Sequence, residues 1–127
     1  MTLENPGSNK EILGVMWKVL AQIQREWRLS DAELGQALGG LDPDCVIRQL
    51  AGSTDTIQDD AVRRASHMMN IYRALHSLFS EKVQANTWID RPNKAELFGG
   101  RPPRELIISG EIKALAGIHA YLFSFCG

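Results

Sequence analysis

The sequence predicts an all-α fold, and three observations lead to that prediction. Apolar residues recur at steps of three and four along several stretches, which places them on one face of a helix. Serine, aspartate and proline stand just ahead of these stretches and glycine just behind them, as they do at the ends of helices. No stretch shows the sustained alternation of apolar and polar residues that a half-buried strand requires.

Composition limits the class of protein. The chain has 127 residues, of which 44% are hydrophobic and 23% are charged, and this is typical of a globular domain that buries about two thirds of its surface. The first ten residues lack the basic and apolar segments of a signal peptide, and no apolar run approaches the ~20 residues of a membrane span. We therefore expect a cytoplasmic protein in which Cys45 and Cys126 are reduced thiols.

The first two helices have clear signals. Lys10 to Trp27 predicts a long amphipathic helix whose apolar stripe comprises Ile12, Met16, Trp17, Leu20, Ile23 and Trp27. Ser30 and Glu33 have the spacing of a capping box, in which each side chain accepts a hydrogen bond from the backbone amide of the other. A second helix is predicted from Asp31 to Leu38, burying Leu34, Ala37 and Leu38, and it ends at two glycines.

The next two helices begin at acidic residues. Asp42 followed by Pro43 predicts the start of a third helix, which runs to about Ala51 and buries Val46, Ile47 and Leu50. Asp59 and Asp60 place negative charge at the positive end of a fourth helix. This helix is expected to reach about Phe79 with an inward stripe of Val62, Ala65, Met69, Tyr72, Leu75 and Phe79.

The last third of the chain predicts shorter elements. A helix is predicted from about Ser80 to Ile89, and the Arg-Pro-Asn sequence that follows breaks it. Residues 94–98 predict one further helical turn. Residues 104–109 predict a short helix that begins after two prolines. The final helix is predicted from Glu111 to Phe125, with Ile112, Leu115, Ile118 and Leu122 inward. The predicted organisation is an N-terminal bundle, residues 10–80, and a small helical domain, residues 81–127.

The second and third helices have the arrangement of a DNA-binding unit. Residues 29–52 read LSDAELGQALGGLDPDCVIRQLAG, which is two short capped helices joined by a glycine turn. This stretch resembles the helix-turn-helix of Xre-class repressors. Candidate DNA contacts are Arg28, Arg48 and Gln49, of which the last two carry bidentate groups. Asp42 and Asp44 would face the phosphate backbone and oppose binding. A scaffold that keeps this shape without reading DNA is therefore the alternative interpretation.

The C-terminal third carries a second pattern. Residues 88–110 read WIDRPNKAELFGGRPPRELIISG, in which a tryptophan ends a helix, a proline and two glycines set a bend, and a proline and a glutamate begin the next helix. This text resembles the toxin-binding domain of the Xre/MbcA/ParS antitoxin family. Together with the helix-turn-helix, the resemblance covers about residues 10 to 125.

The resemblance implies the antitoxin of a type II toxin-antitoxin system. In that family the C-terminal domain obstructs the active-site cleft of a partner toxin, typically a RES-domain enzyme that degrades NAD, while the N-terminal unit forms a homodimer and in many members binds operator DNA. Tyr121 and Phe123 of the last helix either pack in the core or serve, with residues 88–105, as aromatic anchors on the partner. The partner-binding candidates are Trp88, Pro92, Asn93, Gly99, Gly100, Arg101, Pro103, Glu105, Tyr121 and Phe123.

Charge is distributed unevenly along the chain. Residues 1–60 hold 5 basic and 10 acidic side chains, a net charge of −5, whereas residues 61–127 hold 9 basic and 5 acidic ones, a net charge of +4. The positive half suits an acidic surface on a partner protein.

Other functional classes fit the sequence less well. His67, His76 and His119 belong to no metal-binding or catalytic motif, and no nucleophile motif or phosphate-binding glycine loop is present, so no enzyme activity, metal or cofactor is expected. No helix joins an apolar face to a strongly basic one, which argues against membrane binding. A stand-alone helix-turn-helix regulator of transcription is the alternative function, and a structural dimerisation protein is a third.

Overall fold

The computed structural model describes residues 10–53 and 55–126, and every regular element in these ranges is helical. The all-α prediction is therefore confirmed for this part of the chain. A 3-10 turn, Trp88–Asp90, follows the fifth of the helices given below. The α-helices of the described residues are α1 (Lys10–Trp27), α2 (Asp31–Ala37), α3 (Pro43–Leu50), α4 (Asp59–Leu78), α5 (Lys82–Thr87), α6 (Pro103–Ile108) and α7 (Ile112–Phe123).

The predicted starts of α2 and α3 are confirmed. The hydroxyl of Ser30 accepts a hydrogen bond from the amide of Glu33 at 3.0 Å, and the carboxylate of Glu33 accepts one from the amide of Ser30 at 2.9 Å. The carboxylate of Asp42 accepts a hydrogen bond from the amide of Asp44 at 2.8 Å, and Pro43 occupies the first helical position. These side chains satisfy backbone donors that a helix leaves without partners at its first turn.

Helix α4 forms the centre of the fold. It packs along α7 and also contacts α1 and α5, while α2 packs against α3 and α6. The buried apolar side chains of residues 10–80 and of residues 81–126 belong to one hydrophobic cluster. The predicted division of the chain near residue 80 stays a prediction.

The predicted apolar stripes are wrong in part, by one residue. In α1, Leu13 is buried whereas Ile12 is half exposed, and in α3 Ile47 is 49% exposed. In α4, Met68 and Ile71 are fully buried, whereas Met69 and Tyr72, one position later, are partly exposed. Where two neighbouring residues are both apolar, steps of three and four allow either face, and the helices that pack against the element decide between them.

No helix among the described residues combines the length and the apolar character needed to cross a membrane.

Candidate functional site

Residues 91–101 form a loop that is closed on itself around Asn93. The carboxamide oxygen of Asn93 accepts a hydrogen bond from the amide of Ala95 at 2.9 Å. Its carbonyl accepts one from the amide of Gly100 at 2.9 Å, and its own amide donates to the carbonyl of Arg101 at 3.3 Å. Gly99 and Gly100 have φ values of +58° and +83°, in the left-handed region that glycine adopts most readily. The structure thus brings five of the predicted partner-binding residues, Pro92, Asn93, Gly99, Gly100 and Arg101, into one fixed loop.

Four aromatic rings extend from the core beside this loop to the molecular surface. We call Trp88, Phe98, Tyr121 and Phe125 the aromatic cluster. Phe98 is 1% exposed and lies with its ring centroid 5.7 Å from that of Trp88 and 5.4 Å from that of Tyr121, and Tyr121 lies 5.2 Å from Phe125. These separations are those of favourable aromatic pairs. The cluster therefore fixes the end of α7 against the loop.

The end of α7 leaves two phenylalanine rings uncovered by the described residues. Phe125 is 62% exposed at the outer end of the aromatic cluster, and Phe123 is 67% exposed on the other flank of the helix, beside His119. Leu122, the residue before Phe123, is buried. The sequence left open whether this apolar ending packs in the core or on a partner. In the structure Leu122 packs in the core, whereas Phe123 and Phe125 are exposed. The two rings provide apolar surface at the end of α7 and in the turn that follows it.

The remaining partner-binding candidates differ in exposure. Pro92 is exposed, and so are Arg101 and Glu105, whose side chains approach to 3.8 Å as an exposed ion pair. Pro103 is buried at the first position of α6, where its missing amide leaves no hydrogen bond unmade. Its side chain contributes to the fold. Trp88 is partly exposed as a member of the aromatic cluster.

Arg104 ties this region to the N-terminal helices, and sequence reasoning gave it no role. Its guanidinium donates to the carbonyl of Trp27 at the end of α1 and, at 2.5 Å, to the carboxylate of Asp90 in the 3-10 turn. The carboxylate of Glu33 in α2 lies 4.0 Å away. Because Trp27 is 77 positions away along the chain, no spacing rule could reveal this contact.

A second polar network, also missed from the sequence, joins α1, α4 and α5. The hydroxyl of Tyr72 donates to Glu26 at 2.5 Å, and the carboxamide of Asn86 donates to the other carboxylate oxygen at 2.9 Å. The Nε2 atom of His76 lies 2.8 Å from the carboxamide oxygen of Asn86. The side-chain carboxamide of Gln22 donates a hydrogen bond to the hydroxyl of Tyr72. These contacts connect the three helices at one edge of the bundle.

The network shifts the pKa values of two of its members. Burial raises the pKa of Glu26, but the hydrogen bonds from Tyr72, Asn86 and Gln22 to its charged form outweigh burial and hold the pKa below the ordinary value. Burial, together with the hydrogen bond and the negative charge of Glu26, raises the pKa of Tyr72 to about 12. The pair therefore exists as a carboxylate and a neutral phenol over the physiological range, which is the pairing that the short hydrogen bond needs.

The three candidate DNA contacts have different environments. Arg48 is exposed near the end of α3, and Arg28 is exposed after α1 with a φ of +55°. Gln49 is 3% exposed, and its carboxamide donates to the carbonyl of Asp55 at 2.8 Å. That hydrogen bond would have to break before Gln49 reached a base, so its observed role is to hold the connection between α3 and α4. Asp42, whose charge opposes DNA binding, serves as the cap of α3.

Two histidines meet where α4 and α7 pack together. The Nδ1 atoms of His67 and His119 are 3.4 Å apart. Burial and the neighbouring charge of His119 lower the pKa of His67. Among the described residues no group of three or more histidine, cysteine, aspartate or glutamate side chains is arranged to hold a metal ion.

Comparison with known proteins finds a relative that matches most of the chain. The chain is 28% identical over 119 residues to an uncharacterized protein, y4oB, of Sinorhizobium fredii (strain NBRC 101917 / NGR234), and the match covers 93% of this chain and 89% of that protein. No protein-family model matches the chain.

Proposed function

We propose that this protein is the antitoxin of a type II toxin-antitoxin system and neutralises a partner toxin in the cytoplasm by covering it. The observation that carries the proposal is the exposure of Phe123 at the end of α7 and of Phe125 just beyond it, where Tyr121 joins Phe125 to Phe98 of the closed loop of residues 91–101. The resemblance of residues 88–110 to the toxin-binding domain of the Xre/MbcA/ParS family supports a toxin as the partner, with a RES-domain enzyme as the first candidate.

The geometry suits inhibition by occlusion. Aromatic side chains are frequent anchors of protein interfaces because they bury a large area and lose little conformational entropy. Here the loop and the aromatic cluster hold the end of α7 in place, so binding needs little further ordering of the chain. A steric inhibitor requires no catalytic group of its own. The net charge of +4 on residues 61–127 favours association with an acidic partner surface.

Co-expression with the product of the neighbouring reading frame tests the proposal. We expect the two proteins to co-purify, and the double substitution Phe123→Ser with Phe125→Ser to abolish co-purification and relief of toxicity, because interface anchors typically contribute about 2 kcal/mol or more each. Val83→Ser, at a residue 72% exposed on α5, is the matched control and is expected to keep the partner. Absence of any co-purifying partner, or full binding by the double variant, would contradict the proposal.

A second candidate function, regulation of transcription, is favoured by the exposure of Arg48 on α3, the second helix of the capped pair. In this role the chain would act as a homodimer on operator DNA. A gel-shift titration with its own promoter at several salt concentrations is expected to show binding that weakens as salt rises and is reduced by Arg48→Ala. Absence of a shift at low salt would exclude this function.

A further inference from the structure

A cavity between α1 and the end of α3 is lined by none of the candidate toxin contacts, although Gln49, a candidate DNA contact, forms part of its wall. Its volume is about 320 Å³, within the range of small-molecule sites, and most of its exposed wall is apolar. Leu13, Trp17 and Ala21 line it from α1, and Leu50 and Gly52 from the end of α3 and the turn that follows. We propose that this cavity binds a small carboxylate with an apolar body of about eight carbon atoms.

Two lysines determine the charge of the proposed ligand. Lys10 and Lys18 both line the cavity, lie two turns apart on the same side of α1, and are exposed. Neither forms an ion pair with a carboxylate among the described residues. Of the described residues that line the cavity, none is an aspartate or a glutamate. A mostly apolar cavity whose described charged residues are both cations favours an amphiphile with one negative end over a neutral or cationic molecule.

Gly14 is a second, independent indication. It lies inside the 18-residue helix α1, where glycine is destabilising relative to alanine by about 1 kcal/mol. Its backbone is helical, and a Cβ atom added there would meet no atom within 4 Å, so neither packing nor an unusual φ requires glycine. Gly14 lines the cavity. The absence of a side chain keeps the chamber open at the cost of a less stable helix.

The volume sets the size of the ligand. A cavity of about 320 Å³ lies at the small end of the range of about 300–1,000 Å³ for small-molecule sites, which suits a ligand of about ten non-hydrogen atoms. Octanoate, with eight carbons and two oxygens, has this size. Its chain would lie against Trp17 and Leu50, and its carboxylate would lie between the two lysines at the rim. None of these residues belongs to the loop or the aromatic cluster, so this inference does not depend on the proposed function.

Titration of the full chain with octanoate tests the proposal. By calorimetry we expect one site with a dissociation constant of about 0.1–1 mM, which is ordinary for a ligand of ten atoms. Amide resonances of Gly14 and Gly52 and the indole resonance of Trp17 should shift in an NMR titration. Octan-1-ol, with the same chain and no charge, should bind at least about fivefold more weakly.

Three variants and a control separate the cavity from non-specific adsorption. Gly14→Leu is expected to fill the chamber, weaken octanoate binding at least about tenfold and raise thermal stability, since leucine is a better helix former than glycine. Lys10→Gln and Lys18→Gln should each weaken binding about two- to fivefold, as expected for exposed charges. Lys113→Gln, at a residue outside the cavity, should leave the affinity for octanoate unchanged. No binding at about 10 mM octanoate, or equal binding by the Gly14→Leu variant, would overturn the proposal.

Discussion

Replacing Arg104 by methionine removes the contact that joins the C-terminal loop region to the N-terminal helices. Methionine keeps most of the apolar stem and deletes the guanidinium, whose partners are the carbonyl of Trp27 and the carboxylates of Asp90 and Glu33. The side chain of Arg104 is 21% exposed, so most of this interaction is shielded from water. The substitution leaves the last carbonyls of α1 without this donor.

The magnitude follows from these contacts. Hydrogen bonds that involve a charged group contribute about 1.5–3 kcal/mol each. The side chains of Asp90 and Glu33 are 44% and 34% exposed, and solvent screening reduces what each ion pair with Arg104 contributes to stability. The carboxylate of Glu33 lies 4.0 Å from the guanidinium of Arg104, so its contribution is minor. We therefore expect the free energy of unfolding to fall by about 2–4 kcal/mol, a large part of the about 5–15 kcal/mol typical of a domain.

Urea denaturation followed by circular dichroism measures this change. With a slope of about 2 kcal/mol per molar urea, the expected loss moves the midpoint down by about 1–2 M. Arg101→Met is the matched control, because the ion pair of Arg101 with Glu105 is exposed and should contribute less than about 0.5 kcal/mol. Equal midpoints for the two variants would refute the assignment of Arg104 as the connecting residue.

Two further predictions concern the stability of the fold: one follows from glycines with positive φ values and the other from the protonation of His67. Gly110→Ala should lower the free energy of unfolding by about 3 kcal/mol or more, because φ is +72° and a Cβ atom would overlap the carbonyl oxygen of Gln36. Gly40→Ala, at φ +100° with open space around the Cβ position, should cost about 1–2 kcal/mol. Urea midpoints compare the two, and equal losses would contradict the steric argument. Burial and the charge of His119 lower the pKa of His67 below the value of about 6.5 of an unfolded chain. The unfolded state therefore takes up the proton first, and the free energy of unfolding falls as the pH drops below about 6.5, by up to about 1.4 kcal/mol per pH unit.

The control for the pH prediction is a second histidine. His67→Gln should flatten the dependence of the urea midpoint on pH between about 7.5 and 5.5, because the side chain with the lowered pKa is gone. His76→Gln, in the network at the other end of α4, should keep that dependence. An unchanged slope in the His67 variant would show that another group takes up the proton.

Buried contacts that connect distant parts of the chain were beyond sequence reasoning. Arg104 and Trp27 are 77 positions apart, and Glu26 and Asn86 are 60 positions apart. The residue types gave no indication, because an arginine or a glutamate on a helix is ordinarily a solvated surface residue. Gln49, a candidate for contact with a base, is enclosed by the fold, and its burial had no signal in the sequence either.

Local signals in the sequence determined the all-α class, the end of α1 and the caps of α2 and α3, because each depends on residues within about four positions of one another. The tertiary structure decided which of two adjacent apolar residues is buried, as for Met68 and Met69, since helices packed on several sides select the inner face. It also decided that Phe123 and Phe125 remain exposed while Leu122 is covered. Burial depends on what the rest of the chain places opposite a side chain, and that information is not local.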